Sequence, residues 1–268
     1  MGETVLSAVD HNFHAAEWRI SQTVTKTRKQ PARTQVWKMF DRISARYDLL
    51  NRLLSFGQDV YWRKQVARYL PDKKDLIILD LATGTADQLL FLYKQTDKIR
   101  KGIGIDPAVD MLARGRDKIR QKNLETLFEL KEGMAENIPF SDNSFDALTI
   151  SFGIRNVEDI RQSLSEMYRV LKQGGRVLIL EFSLPENRFL RQIYLFYFRH
   201  LLPRLGGLIS GDACAYRYLN ETVETFPYGS EFSAMLAEQG FQNVACRPLT
   251  LGVSTIYYGD KPLNKGYR

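Results

Sequence analysis

The chain has 268 residues, of which 44% are hydrophobic and 26% charged, and its 38 Lys and Arg against 31 Asp and Glu leave a net charge of +7. Such proportions build one sizeable core, or one domain with an appendage, and the basic balance suits nucleic acid, an anionic membrane face, an acidic substrate or a plain solvated surface. Two cysteines without a CxxC (Cys214 and Cys246) and three histidines exclude a disulfide framework and speak against a zinc site, and no apolar run approaches the ~20 residues of a membrane span.

In chain order, residues 1 to about 35 read as an extension. Glu3 and Asp10 stand where a secretory leader needs a basic and then an apolar run, and "TKTRKQPART" (Thr25 to Thr34) has the polar, basic composition of a mobile arm. "SARYDLLNRLLSFGQDVYW" (Ser44 to Trp62) reads as a helix leading toward the first strand. Tyr47, Asn51, Ser55 and Asp59 recur every four residues as a polar row, and Leu49, Leu50, Leu53 and Leu54 lie mostly elsewhere on the surface. Periodicity alone makes that row a solvated helix face.

From Asp75 four short apolar runs follow, "DLIILDLA", "KGIGID", "FDALTIS" and "GRVLILEFS", separated by helical patterns. In "NVEDIRQSLSEMYRVLK" the residues Val157, Ile160, Leu164, Met167 and Leu171 fall at spacings of three and four. Asn156 is the expected N-cap, with Asp159 in the first turn and Gly174 closing the far end. Strands alternating with helices predict a parallel sheet covered on both faces, and two more strands, "FQNVACR" and "VSTIYYG", end the pattern.

"LDLATGTADQ" (Leu79 to Gln88) is strand, tight turn and helix start. With Gly84 its only glycine it is a poor phosphate cradle, and it suits a ligand offering a carboxylate, an amine and a ribose better. Asp106 ends the second strand, where a carboxylate can accept both hydroxyls of a ribose or else cap the next helix. Asp80 orients the loop or meets the ligand's amine, with a buried cap as the rival role. Met134 and Ala135 follow the third strand and would flank an adenine.

The sequence resembles the S-adenosylmethionine-dependent C-methyltransferases of menaquinone and ubiquinone biosynthesis. The likeness spans roughly Val36 to Tyr258 and rests on "YDLLNRLLSFGQDVYW", "LDLATGTAD", "ISFGIRNV" with "MYRVLKQGGRVLILEFS", and "HLLPRLGGLISGDACAYRYL". The chain departs from the family pattern at Asp59 (usually His), at Thr83 and Ala86 (usually Gly) and at Gln173 (usually Pro). The resemblance implies a class I, Rossmann-like α/β fold: a seven-stranded, mostly parallel sheet with helices on both faces and an antiparallel C-terminal strand. Residues 36–268 would form the methyltransferase domain, with 36–74 a helical lid and 184–225 an insertion that binds the substrate and its tail.

By position, the family's cofactor contacts fall on Thr85, Asp106, Met134, Ala135 and Ser151, to which the loop reading adds Asp80 and Gly84. The resemblance implies catalytic parts for Arg155 and Asn156; otherwise Arg155 pairs with a structural carboxylate and Asn156 caps a helix. It also turns the polar row into a pocket wall, with Tyr47 catalytic and Asp48 and Asn51 on the substrate while the leucines pack on the sheet. "FLRQIYLFYFRHLLPRLGGLI" (Phe189 to Ile209) supplies an apolar wall with a basic fringe, suited to an isoprenoid tail or a membrane interface, or equally to a core. His200 and Tyr218 are further substrate candidates, His200 as a second proton acceptor or a structural histidine. The implied cofactor is S-adenosylmethionine, without a metal. The expected substrate is a prenylated quinol, and the expected location the cytoplasm with contact to a membrane face. No nucleic-acid partner is expected, and the oligomeric state is left open.

Overall fold

The structure, a computed structural model, describes residues 36–204 and 213–263; the extension expected over residues 1–35 lies outside them. Seven strands form one sheet in the order β3-β2-β1-β4-β5-β7-β6. They are β1 (Leu76–Leu81), β2 (Ile99–Asp106), β3 (Phe128–Glu132), β4 (Phe145–Ser151), β5 (Leu171–Phe182), β6 (Gln242–Leu249) and β7 (Ser254–Asp260). The first five run parallel, and β7 runs antiparallel to both β5 and β6. The sheet is therefore the one the sequence predicts, with its inverted strand at the C-terminal end.

Successive residues of β1 explain why these runs are apolar throughout. Leu79 and Leu81 join a core with α6 (Ile160–Val170) and α9 (Ser230–Glu238). Leu76 and Ile78 point the other way, into a core with Trp62 and Val66 of α3 (Gln58–Val66) and Leu92 of α4 (Asp87–Gln95). Both faces of the strand are buried, so the period of two disappears.

A smaller core sits apart from the sheet's two faces. Ile43 of α1 (Val36–Ile43) and Leu50 of α2 (Tyr47–Leu54) pack with Phe198, Leu202 and Val223. Phe198 belongs to a five-residue π-helical turn that follows α7 (Arg188–Phe196), and Val223 to α8 (Ala213–Thr225). The opening helices and the aromatic segment thus hold each other, and the Tyr197 hydroxyl donates to the Leu54 carbonyl at 2.7 Å.

Four local expectations are corrected. Ser44 to Trp62 is two helices, because Phe56 (φ 52°) and Gly57 (φ 74°) turn left-handed between α2 and α3. The leucines do not pack on the sheet: Leu50 and Leu54 meet the aromatic segment, while Leu49 and Leu53 are exposed. Asp159, not Asn156, caps α6, its carboxylate accepting from the Gln162 N–H at 3.0 Å, since residues 154–156 form a separate 3₁₀ turn. Leu171 ends that helix, and Gly174 instead donates its N–H to the Lys261 carbonyl.

Candidate active site

The loops after β1, β2 and β4 meet above the carboxyl ends of those strands, where open α/β sheets hold their ligands. Two glycines allow the loops to close up. A Cβ on Gly104 would stand 2.7 Å from the Thr83 hydroxyl, and one on Gly153 would stand 2.5 Å from the Ala82 Cβ. With Gly104 bare, Thr83 donates to Asp80 at 2.7 Å, and Thr149, opposite Asp80 on β4, donates to its other oxygen at 2.5 Å. Asp80 is thus the loop-orienting residue. Burial pushes its carboxyl up to about 6, against the two hydroxyls.

Asp106 ends β2 and accepts the Gly84 N–H and the Ala108 N–H, both at 2.8 Å. Of the two roles expected of this position the structural one is visible, since Asp106 supports the start of α5 (Val109–Arg120) and ties down the turn after β1; it also faces a cavity of about 110 Å³. Burial pushes its carboxyl up to about 6 as well. The cavity also takes in Gly84, Met134, Ala135, Ser151 and Asn156, of which Met134 is exposed at the rim. Among the described residues the buried Oδ1 of Asn156 has no partner, and its amide nitrogen reaches the Phe152 carbonyl at 3.4 Å. Ser151 donates to Gln88 at 2.9 Å.

Thr85 lines a small polar cavity next to the one that Asp106 faces, with Gly84 and Ser151, and Asp48 lies against it. The Thr85 hydroxyl donates to Asp48 at 2.7 Å and receives Lys118 at 2.8 Å, and Asp48 pairs with Lys118. Asp48 does not line the large cavity, which corrects its expected place beside the substrate. Asp87 joins this cluster through Lys118 and Arg52, and Arg52 also pairs with Asp59. Burial opposes the charge on Asp87, but Lys118, Arg63 and Arg52 together hold its carboxyl below the usual range.

The second cavity, about 250 Å³, is apolar and lies between the opening helices, the aromatic segment and the loop after β4. Tyr47, Asn51, Ser55 and Asp59 all line it, so the polar row does face a pocket. Arg155 and Tyr218 line it too, whereas His200 is exposed against the Phe196 ring at 5.1 Å and is not part of it. Arg155 is 5% exposed and ion-pairs with Glu181 at 2.7 Å, while its guanidinium lies 5.3 Å from the Phe182 ring. Glu181, fully buried on β5, is held above the usual carboxylate range by burial, which outweighs the attraction of Arg155. Tyr194 brings a buried hydroxyl without a hydrogen-bond partner among the described residues, and burial keeps its proton on.

Glu181, Tyr194, Phe152 and Arg63 were not singled out by sequence reasoning. A lone acid inside "VLILEF" is the signal that points to Glu181, because a charge in a fully buried strand needs a specific partner. Phe152 gives no such signal. Its left-handed backbone (φ 60°), rare for a bulky residue, becomes visible only in the fold. Phe40, Tyr47 and Phe152 line both cavities, so the two are joined across one aromatic wall.

A solved S-adenosylmethionine-dependent methyltransferase of Thermotoga maritima superposes with a TM-score of 0.58 at 20% identity, covering 84% of this chain and 99% of that one. The fold is that of a class I methyltransferase. The family model described as the ubiE/COQ5 methyltransferase family matches residues 25–261, and the chain belongs to that family. The ubiquinone/menaquinone biosynthesis C-methyltransferase UbiE of Geobacter sulfurreducens is 46% identical over 225 residues, which is 84% of this chain and 88% of that protein. The demethylmenaquinone methyltransferase of Thermus thermophilus is 47% identical over 224 residues, 84% of this chain and all of the relative.

The residues present fit the cofactor. Asp106 offers a carboxylate to ribose hydroxyls, Met134 and Ala135 offer an apolar rim to adenine, and the unpartnered Asn156 Oδ1 lines the same cleft. Left-handed backbone at Ala82, Gly84 and Ala86 keeps the turn after β1 tight.

Proposed function

We propose that the enzyme transfers a methyl group from S-adenosylmethionine to a ring carbon of a prenylated quinol, demethylmenaquinol first among them. The observation that carries this reading is the shared wall: a nucleoside-sized cleft and a larger apolar cavity meet at Phe40, Tyr47 and Phe152. The curated relatives, whose names give ubiquinone and menaquinone biosynthesis and demethylmenaquinone, support the same substrate class.

When bound, the cofactor supplies an electrophilic methyl group. Its acceptor must be an electron-rich ring carbon, so the reduced quinol reacts and the quinone does not. The transfer would exchange the sulfur–methyl bond for a carbon–carbon bond, and the ring hydrogen would leave as a proton to a water held by the polar side chains of the apolar cavity. Arg155 is permanently cationic and serves here by stabilising a phenolate, not as a base. Tyr47 and Asn51 orient the ring oxygens from the opposite wall. Met134, Ala135, Ser151, Gly84 and Asp106 seat the nucleoside, and Thr85 and Asp80 shape its loop. Asn156 works from the cofactor side of the shared wall.

Residues 36–74 act as the cover of both cavities, and the described part of 184–225 as the wall for the isoprenoid tail. No helix among the described residues is long and apolar enough to cross a membrane. A cytoplasmic enzyme would then reach a lipid-borne substrate from the surface. Leu49, Leu53 and Phe56 are exposed on the opening helices and their turn, and Phe189, Ile193 and Phe196 on α7; Phe56 meets the Tyr197 ring at 5.8 Å, and these exposed apolar side chains suit contact with a lipid face.

The test is incubation with methyl-labelled cofactor and reduced or oxidised demethylmenaquinone and its benzoquinone counterpart, with products identified by mass. The expected product is the C-methylated naphthoquinol, formed from the reduced form alone. Label on neither quinol refutes the assignment.

A further inference from the structure

Arg63 is a buried cation whose charge reaches Asp80 and Asp87 only through space. It lies on α3, is 5% exposed, and has no ion pair among the described residues; its Nε has no hydrogen-bond partner. Its guanidinium lies 5.2 Å from the Phe152 ring. The neighbouring acids are engaged elsewhere: Asp80 by Thr83 and Thr149, Asp87 by Arg52 and Lys118. A permanent charge taken out of water is costly unless a ligand meets it, and a guanidinium fork matches a carboxylate.

Arg63 is also held in place. Its carbonyl accepts from Gln88 Nε2 at 3.2 Å, and the same amide's oxygen accepts from Ser151. These three residues, with Thr83, Gly84 and the acids Asp80 and Asp87, line a polar cavity of about 20 Å³, the space of at least one water-sized polar group. That cavity shares Tyr47, Ala82, Gly84 and Ser151 with the nucleoside cleft.

We propose that Arg63 receives the carboxylate of the cofactor's amino-acid arm, which crosses Gly84 from a ribose held at Asp106 and ends in this small polar cavity. The assignment rests on the seating of adenosine at Asp106. Arg63 borders the large cavity as well, but there Arg155 already faces the acceptor, and the polar walls of Thr83, Gly84 and Gln88 stand on the small-cavity side.

Calorimetry on the full chain tests it with three ligands: S-adenosylhomocysteine, its decarboxylated analogue S-adenosyl-3-thiopropylamine, and 5′-methylthioadenosine. On the native protein S-adenosylhomocysteine should bind ~10–100-fold more tightly than the decarboxylated analogue, the range of a charge-assisted hydrogen bond. Arg63→Gln should remove that advantage while methylthioadenosine binding stays within about twofold, and Arg63→Lys should fall between, keeping charge without the fork. Equal native affinity for S-adenosylhomocysteine and its decarboxylated analogue overturns the proposal without any variant. So does equal loss of all three ligands in Arg63→Gln, or unchanged cofactor-product affinity with a raised KM for the quinol. Failure of methylthioadenosine to bind the native chain overturns the seating at Asp106 on which the assignment stands.

Discussion

Arg155 and Glu181 come from loop and strand 26 positions apart and are buried as a pair, so neither can be changed in isolation. Arg155→Ala leaves a carboxylate in the core with its cation gone, and a loss of ~3–5 kcal/mol in unfolding free energy is expected from denaturant titration. Glu181→Gln keeps the shape and still accepts a hydrogen bond. For that variant turnover should fall at least tenfold with S-adenosylhomocysteine affinity within about twofold; unchanged turnover removes the pair from the reaction. Asp106 carries a pH prediction. Ribose hydroxyls donate to its ionised form, and its carboxyl titrates at about 6, so below that pH a bound proton must leave before the nucleoside seats. Affinity for S-adenosylhomocysteine should be flat above pH 7 and fall by up to ~10-fold per pH unit below 6, as read by calorimetry from pH 7.5 to 5. A flat profile throughout is the contrary result.

At the scale of elements, β1, β2, β4 and β5 were legible because burial on both faces leaves the centres of these strands mostly apolar. The break inside the opening segment was not. Leucines continue across it, and Phe56 takes a left-handed turn that no local signal announces. Gly57 is the residue that makes the break inexpensive, since φ is 74° and a Cβ there would meet nothing within 4 Å. Gly57→Ala therefore adds backbone strain alone, ~1–2 kcal/mol, and should lower the midpoint of thermal unfolding by a few degrees. The first turn of α6 misled for a different reason. Asn156 looks like a cap in sequence, but Arg155 is drawn inward to Glu181 and the chain coils once as a 3₁₀ turn before Asp159 begins the helix. Asp48 misled through register: one position past Tyr47, it turns toward Lys118 and Thr85 instead of the cavity.

Across the whole molecule, the nucleoside cleft was readable because strand ends and their loops lie close in sequence. The larger cavity was readable only in part. Its walls come from residues 39–63, 152–155, 182, 194–219 and 250–253, and no local pattern joins them. Their apolar rim gives a prediction at this scale. The native chain, with net charge +7, should co-sediment with anionic vesicles, and Phe189→Glu with Phe196→Glu should weaken that by about tenfold or more, since burying a Phe contributes ~1.5–3 kcal/mol. Equal sedimentation of the double variant refutes the lipid contact. The cover over the cofactor loop is fastened differently from the rest. Arg52 and Asp48 on α2 reach Asp87 and Lys118 on the helices flanking the loop, all charge to charge, while the neighbouring seams are grease. Added electrolyte screens the first kind of seam and tightens the second. Ionic strength is thus a handle on one joint of the enzyme: potassium chloride should loosen the clasp beside the loop after β1 while the apolar cavity keeps its shape.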